Sequence, residues 1–66
     1  FQKEKQSSIA YWQNMIAVAA EEYSEPQYAD YLKTLEERLK LVTETTNSEE
    51  LYEVESWTIP KAPKKR

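Results

Sequence analysis

The chain contains no glycine among its 66 residues. Glycine is the usual residue at positive-φ turns, in tight loops and in phosphate-binding cradles. Its absence argues against hairpin-rich sheets, P-loops and dinucleotide-binding folds. We therefore predict an all-α fold, and a chain of this length forms one domain at most.

Apolar residues at helical spacing predict a first helix over about residues 8–23, with Ser7 or Ser8 as its N-terminal cap. Residues 1–6 are mostly polar and charged, and we expect them to fray. A second apolar stripe lies beside the first, which is typical of a helix surrounded by other helices. The two stripes comprise Ile9, Trp12, Ile16, Ala19 and Tyr23, and then Tyr11, Met15 and Val18.

A sharp break follows this helix, because Pro26 lacks a backbone N–H and is tolerated only in the first turn of a helix. Ser24, followed three residues later by Gln27, is typical of a capping box. We therefore predict a second helix over about residues 25–44, which starts almost where the first ends. A tight corner between the two helices is favoured over one kinked rod.

The second helix carries a heptad seam, whose members recur at alternating spacings of four and three residues. The seam spans two heptads, which is fewer than the three or four that indicate a coiled coil. It fits both packing against the first helix and association with a second chain, and both interpretations stay open. The seam consists of Tyr28, Leu32, Leu35, Leu39 and Val42.

A short third element is predicted after the threonine-rich residues 43–47, whose helix propensity is poor. Ser48 can cap a helix there, and the apolar residues that follow lie one turn apart. We favour a short helix, and a strand over residues 51–59 that adds to another protein's sheet is the alternative. The apolar residues are Leu51, Val54 and Trp57.

The chain divides into a helical interaction module, residues 1–56, and an extended Pro/Lys-rich tail, residues 57–66, which we expect to be disordered when free. The net charge of −3 hides a split, because residues 1–60 carry −7 and the last six residues carry +4. Only the tail therefore suits nucleic acid. Its candidates for an import signal or a phosphate contact are Lys61, Lys64, Lys65 and Arg66.

The composition argues against catalysis and against a bound cofactor. Histidine and cysteine are both absent, which removes the commonest general base, the best nucleophile and thiolate zinc ligands. The acidic residues at 49, 50 and 53 are expected to form a solvated face. The longest apolar run, residues 9–20, is too short and too polar for a membrane span, which needs about 20 residues.

Location and completeness are expectations from the same features. Because the chain begins with Phe1, we expect a fragment or a processed product. The chain has no cysteine, so nothing in it points to an oxidising compartment, and we expect an intracellular protein. If the tail is an import signal, the protein is expected to be nuclear.

We predict a non-enzymatic protein-interaction module, a subunit or regulatory segment that docks on another protein chain or forms a homo-oligomer. A core this small is close to break-even in free energy, so a second chain is the expected stabiliser. Tryptophan and tyrosine dominate interface hot spots, and Trp57 is the stronger interface candidate, whereas Trp12 favours the core. The alternatives are a small nucleic-acid- or chromatin-associated factor that uses the tail, and a free-standing folded inhibitor. The predicted partner-binding residues are Trp12, Ile16, Leu32, Leu35, Leu39, Trp57 and Ile59.

Overall fold

Three helices joined by short turns make up the computed structural model, which describes residues 1–64. The helices are α1 (Gln2–Glu22), α2 (Ala29–Glu44) and α3 (Ser48–Ser56), with a 3₁₀ turn at Pro26–Tyr28 between α1 and α2. No strand occurs in this part of the chain. The all-α prediction is confirmed, and the third element is the short helix rather than the strand.

Helix α1 begins at Gln2, well before the predicted start, so the expected fraying of its first residues is wrong. Lys5 explains the difference, because its Nζ donates to the Thr45 carbonyl oxygen at 2.6 Å. Its ammonium also lies 5.6 Å from the centre of the Phe1 ring. The polar first turn is therefore attached to the loop between α2 and α3. The predicted cap at Ser7 or Ser8 is wrong, because both serines lie inside α1.

The break between α1 and α2 forms as the tight corner that the sequence predicted. Pro26 starts the 3₁₀ turn after an extended Glu25, and the Tyr28 amide donates to the Glu25 carbonyl oxygen at 3.0 Å. The predicted capping box is wrong, because the turn has no side-chain cap hydrogen bond. The proline geometry alone is enough to end one helix and to start the next turn.

The core lies where α1 and α2 pack side by side, and α3 packs across the far end of α2. The heptad seam is therefore used inside the chain, and Leu35 and Val42 are fully buried at 0% exposure. Each helix contributes two buried apolar side chains. These are Trp12 and Ala19, Leu35 and Val42, and Leu51 and Val54.

Helix α3 has a reciprocal cap at its N-terminus. The Asn47 Oδ1 atom accepts a hydrogen bond from the Glu50 amide at 2.9 Å, so the cap lies one residue before the predicted Ser48. The Glu50 carboxylate in turn accepts from the amide and the hydroxyl of Thr46, each at 2.7 Å. This arrangement satisfies otherwise unpaired N–H groups at the helix start.

The tail returns along the helices after α3 ends at Ser56, and the predicted disorder is not confirmed. Near its start, the Arg38 side chain donates to the Thr58 carbonyl oxygen at 2.9 Å. Near its end, the Tyr23 hydroxyl donates to the Pro63 carbonyl oxygen at 3.3 Å. The tail thus runs back toward the corner between α1 and α2.

Candidate functional site

An arginine held between two tryptophans organises the candidate site. The Arg38 Cζ atom of α2 lies 5.3 Å from the Trp12 ring centre and 5.4 Å from the Trp57 ring centre. A guanidinium at such distances is attracted to the ring faces, and Arg38 also binds the Thr58 carbonyl oxygen. Arg38 therefore fixes Trp57 and the start of the tail against the helices.

A groove of about 300 Å³ opens beside this arginine, between α1, α3 and the tail. On one side, the Ser8 hydroxyl donates to the Glu55 carboxylate and so ties α1 to α3. On the floor, the Trp12 ring meets the Tyr11 ring edge to face at 5.6 Å. We call this hollow the Trp57 groove; it is lined by Ser7, Ser8, Tyr11, Trp12, Arg38, Glu55, Trp57 and Ile59.

The Trp57 groove combines a buried floor with an exposed apolar rim. Trp12 on the floor is 5% exposed, whereas Tyr11, Trp57 and Ile59 on the rim are 51%, 44% and 48% exposed. The floor is therefore part of the folding core, and the rim offers large apolar area to the solvent. A hollow of this size accommodates one large side chain of a partner or a small ligand.

One acidic residue lies at the groove, and the other acidic residues of α3 lie elsewhere on that helix. Glu55 lines the groove, and Glu49 and Glu53 are exposed elsewhere on the same helix. The two hydrogen bonds from Thr46, helped by the nearby Lys5, hold the pKa of Glu50 below its usual value. The exposed side of α3 is therefore negatively charged at neutral pH.

The structure separates the seven predicted partner-binding residues into two groups. Trp12, Trp57 and Ile59 meet in the Trp57 groove. Leu35 is fully buried in the core, as part of the internal seam. The other three are partly buried and pack against that core; they are Ile16, Leu32 and Leu39.

The basic candidates of the tail lie apart from the Trp57 groove. Lys61 and Lys64 are exposed, and they line a larger hollow of about 810 Å³ together with Glu25 and Asp30. The other two candidates, Lys65 and Arg66, lie outside the described residues.

Sequence reasoning missed five of the eight residues that line the groove. Ser7 and Ser8 were interpreted only as candidate helix caps. Tyr11 belongs to the second apolar stripe of the first helix. Its position next to Trp12, a predicted partner-binding residue, was the one sequence feature that could have identified it. Arg38 and Glu55 had no local signal, because their partners Trp57 and Ser8 are distant in sequence. Only the return of the chain over α2 brings these side chains together.

The described residues contain no group of acidic side chains placed to hold a metal ion. Nor does any helix within residues 1–64 have the length and hydropathy that a membrane crossing requires. Comparisons with protein-family models, with curated proteins and with solved structures found no match.

Proposed function

We propose that this chain is a non-enzymatic protein-interaction module that docks on another protein through the Trp57 groove. The observation that carries the proposal is the half-exposed rim formed by Tyr11, Trp57 and Ile59. Aromatic residues of this kind dominate interface hot spots, because they bury large areas when a partner covers them. The module serves either as a subunit of an assembly or as a regulatory segment.

The rim is held in place before any partner arrives. Arg38 lies against the Trp57 ring, and it also binds the backbone at Thr58, next to Ile59. A side chain that is already fixed loses less conformational entropy when it is covered. This support distinguishes the rim from an apolar residue that simply remains exposed at the end of a helix.

The charge around the groove indicates the kind of partner. Glu55 at the rim and the other carboxylates of α3 favour a partner that carries lysine or arginine beside an apolar anchor. A second copy of the same acidic surface would be repelled, since residues 1–60 carry a charge of −7. We therefore favour a different, basic protein over a homo-oligomer.

The nucleic-acid alternative has weaker support. Lys61 and Lys64 share their hollow with Glu25 and Asp30, and these carboxylates compete with phosphate for the lysines. The nuclear location that an import signal implies depends on the same basic tail and stays a prediction.

A displayed peptide library selected on the whole chain tests the docking proposal. We expect selection of peptides with an apolar anchor flanked by lysine or arginine, because these features match the apolar rim, the Glu55 carboxylate beside it and the acidic side of α3. The Trp57→Ala and Ile59→Ser variants should lose the selected peptides. Tyr52→Ala should keep them, since Tyr52 is exposed on α3 but does not line the groove.

The outcome that contradicts the proposal is equally definite. If Trp57→Ala retains the selected peptides at full affinity while its circular dichroism spectrum is unchanged, the groove is not the docking site. Enrichment of acidic peptides would contradict the assignment of a basic partner.

A further inference from the structure

The tail carries the spacing of a polyproline ligand. Pro60 and Pro63 are separated by two residues, an apolar residue (Ile59 or Ala62) precedes each proline, and Lys65 follows two places after the second. A polyproline II helix has three residues per turn, so the two prolines lie on the same edge. Each proline also biases the residue before it toward extended backbone, which favours this geometry.

The chain itself supplies an aromatic surface next to these prolines. The Tyr23 ring centre lies 4.9 Å from that of Tyr28 and 5.3 Å from that of Tyr31, with both pairs edge to face. We call these three residues the tyrosine cluster. Its Tyr23 hydroxyl donates to the Pro63 carbonyl oxygen at 3.3 Å, so the cluster holds the tail directly.

Tyr31 lies beside this contact, and it lines two of the hollows that the tail borders. The larger hollow also contains Pro60 and Pro63, which are partly buried, and the smaller one contains Ala62. Burial, together with the neighbouring Tyr23 and Glu22, raises the pKa of the Tyr31 hydroxyl. The tyrosine cluster and the two prolines therefore lie around the same hollow, and the hydrogen bond from Tyr23 to Pro63 joins them.

We propose that the sequence Ile59 to Lys65 is a ligand for an SH3-type domain, and that the tyrosine cluster holds its described part, residues 59–64, in a closed position. SH3 domains bind a P-x-x-P segment in a groove lined by aromatic side chains, and the tyrosine cluster offers the same kind of surface within the chain. Lys64 and Lys65 suit a partner groove with an acidic rim.

This arrangement makes the two aromatic surfaces competitors for the same prolines. An SH3 domain binds only the fraction of molecules in which the tail has left the tyrosine cluster. The apparent affinity is then reduced by that fraction, and loosening the cluster strengthens the binding. The inference does not depend on the proposed function, since it uses the prolines rather than Trp57.

The test is a nuclear magnetic resonance titration of the full chain with purified SH3 domains that prefer P-x-x-P followed by a basic residue. We expect chemical-shift changes at the amides of Lys61, Ala62 and Lys64, and in the tyrosine cluster. A variant with both Pro60→Ala and Pro63→Ala should lose binding by more than about 10-fold, because it no longer offers the fixed polyproline edge. No binding by any domain of the panel, or equal binding by the double variant, overturns the proposal.

The closed position is tested with a matched pair of tyrosine variants. Tyr31→Ala should bind the SH3 domain about 10-fold more tightly than the parent chain, because it removes the ring that packs against Tyr23 and lines the hollow around the prolines, which should loosen the hold on the tail. Tyr52→Ala should bind like the parent, since Tyr52 lines neither of the two hollows beside the cluster. If Tyr31→Ala fails to fold, Tyr28→Ala takes its place, and an unchanged affinity in the folded variant excludes the closed position.

Duplex DNA provides the competing outcome. We expect binding of the SH3 domain to change little as the salt concentration rises, whereas phosphate binding by the tail lysines weakens steeply. If the chain binds DNA more tightly than it binds every SH3 domain of the panel, the tail is a phosphate-binding segment instead. Trp57→Ala separates this proposal from the docking groove, since it should leave SH3 binding in place.

Discussion

The heptad seam of α2 and the rim of the Trp57 groove are both apolar, but the fold treats them differently. Leu35 and Val42 of the seam are fully covered by the chain itself, whereas Trp57 and Ile59 remain about half exposed. A helix in the middle of a chain has neighbours on both sides that can cover it. The segment after the last helix is covered only by what the earlier elements leave free, so its apolar residues remain available to a partner.

Substitution of the seam should have the largest effect on stability. Leu35→Ala should lower the free energy of unfolding by about 2–5 kcal/mol, because it removes a fully buried side chain and leaves a cavity. Leu41→Ala is the matched control on the same helix; Leu41 is exposed, so its loss should change stability by about 0.5 kcal/mol or less. Urea unfolding followed by circular dichroism measures both. Equal losses would show that the seam is not the internal core.

Removal of the α3 cap should have the next largest effect. Asn47→Ala should cost about 0.5–2 kcal/mol, because the Glu50 amide loses its hydrogen-bond acceptor. Asn14→Ala is the control in the interior of α1, where alanine is a better helix former and no loss is expected. Thermal unfolding compares the two. A stability of Asn47→Ala equal to the parent's would mean that the cap does not hold α3, the helix that leads into Trp57.

Trp57→Ala should affect stability less than either of these changes. Its contact with Arg38 is partly exposed, and such cation–π contacts contribute about 0.5–1 kcal/mol. The same variant should lose the peptides selected on the groove. Substitution of Trp57 should therefore mainly weaken peptide binding, whereas substitution of Leu35 should mainly lower stability. The free energy of unfolding in urea and the affinity for the selected peptides are measured for each variant and for the parent. A loss at Trp57 as large as that at Leu35 would make this tryptophan a core residue.

Acidification should have the smallest effect. The hydrogen bonds from Thr46 lower the pKa of Glu50 in the folded chain below the ordinary value of a glutamate, so the fold favours the charged carboxylate. This contribution to stability is present above about pH 4.5 and is lost as the pH falls through the folded pKa. Glu50→Gln should therefore show a shallower loss of stability with falling pH than the parent. Identical acid transitions in the two proteins would show that Glu50 does not contribute to the pH dependence of stability.

Local patterns in the sequence were enough to predict the helices, because helical spacing and the break at Pro26 depend on residues a few positions apart. The start of α1 was misplaced because Lys5 is held by Thr45, a residue 40 positions away. The capping box at Ser24 was wrong since the proline turn needs no side-chain cap.

The candidate site was only partly predictable for the same reason. Trp57 and Ile59 are identifiable in the sequence as large apolar residues at the start of the tail. The groove around them depends on Arg38, which meets Trp57 only after the chain has returned over α2. The seam had two possible partners, and its spacing fits a helix of the same chain as well as a second chain. Deciding between them required the packing of α1 against α2.

Sedimentation equilibrium over micromolar to millimolar concentrations tests the central claim most directly, namely that one chain buries its own leucine seam. The account predicts a mass of 7.8 kDa throughout, together with cooperative unfolding whose midpoint does not depend on protein concentration. A mass of twice this value that returns to the monomer's in the Leu35→Ala variant would contradict it, because the seam would then belong to an interface between two chains.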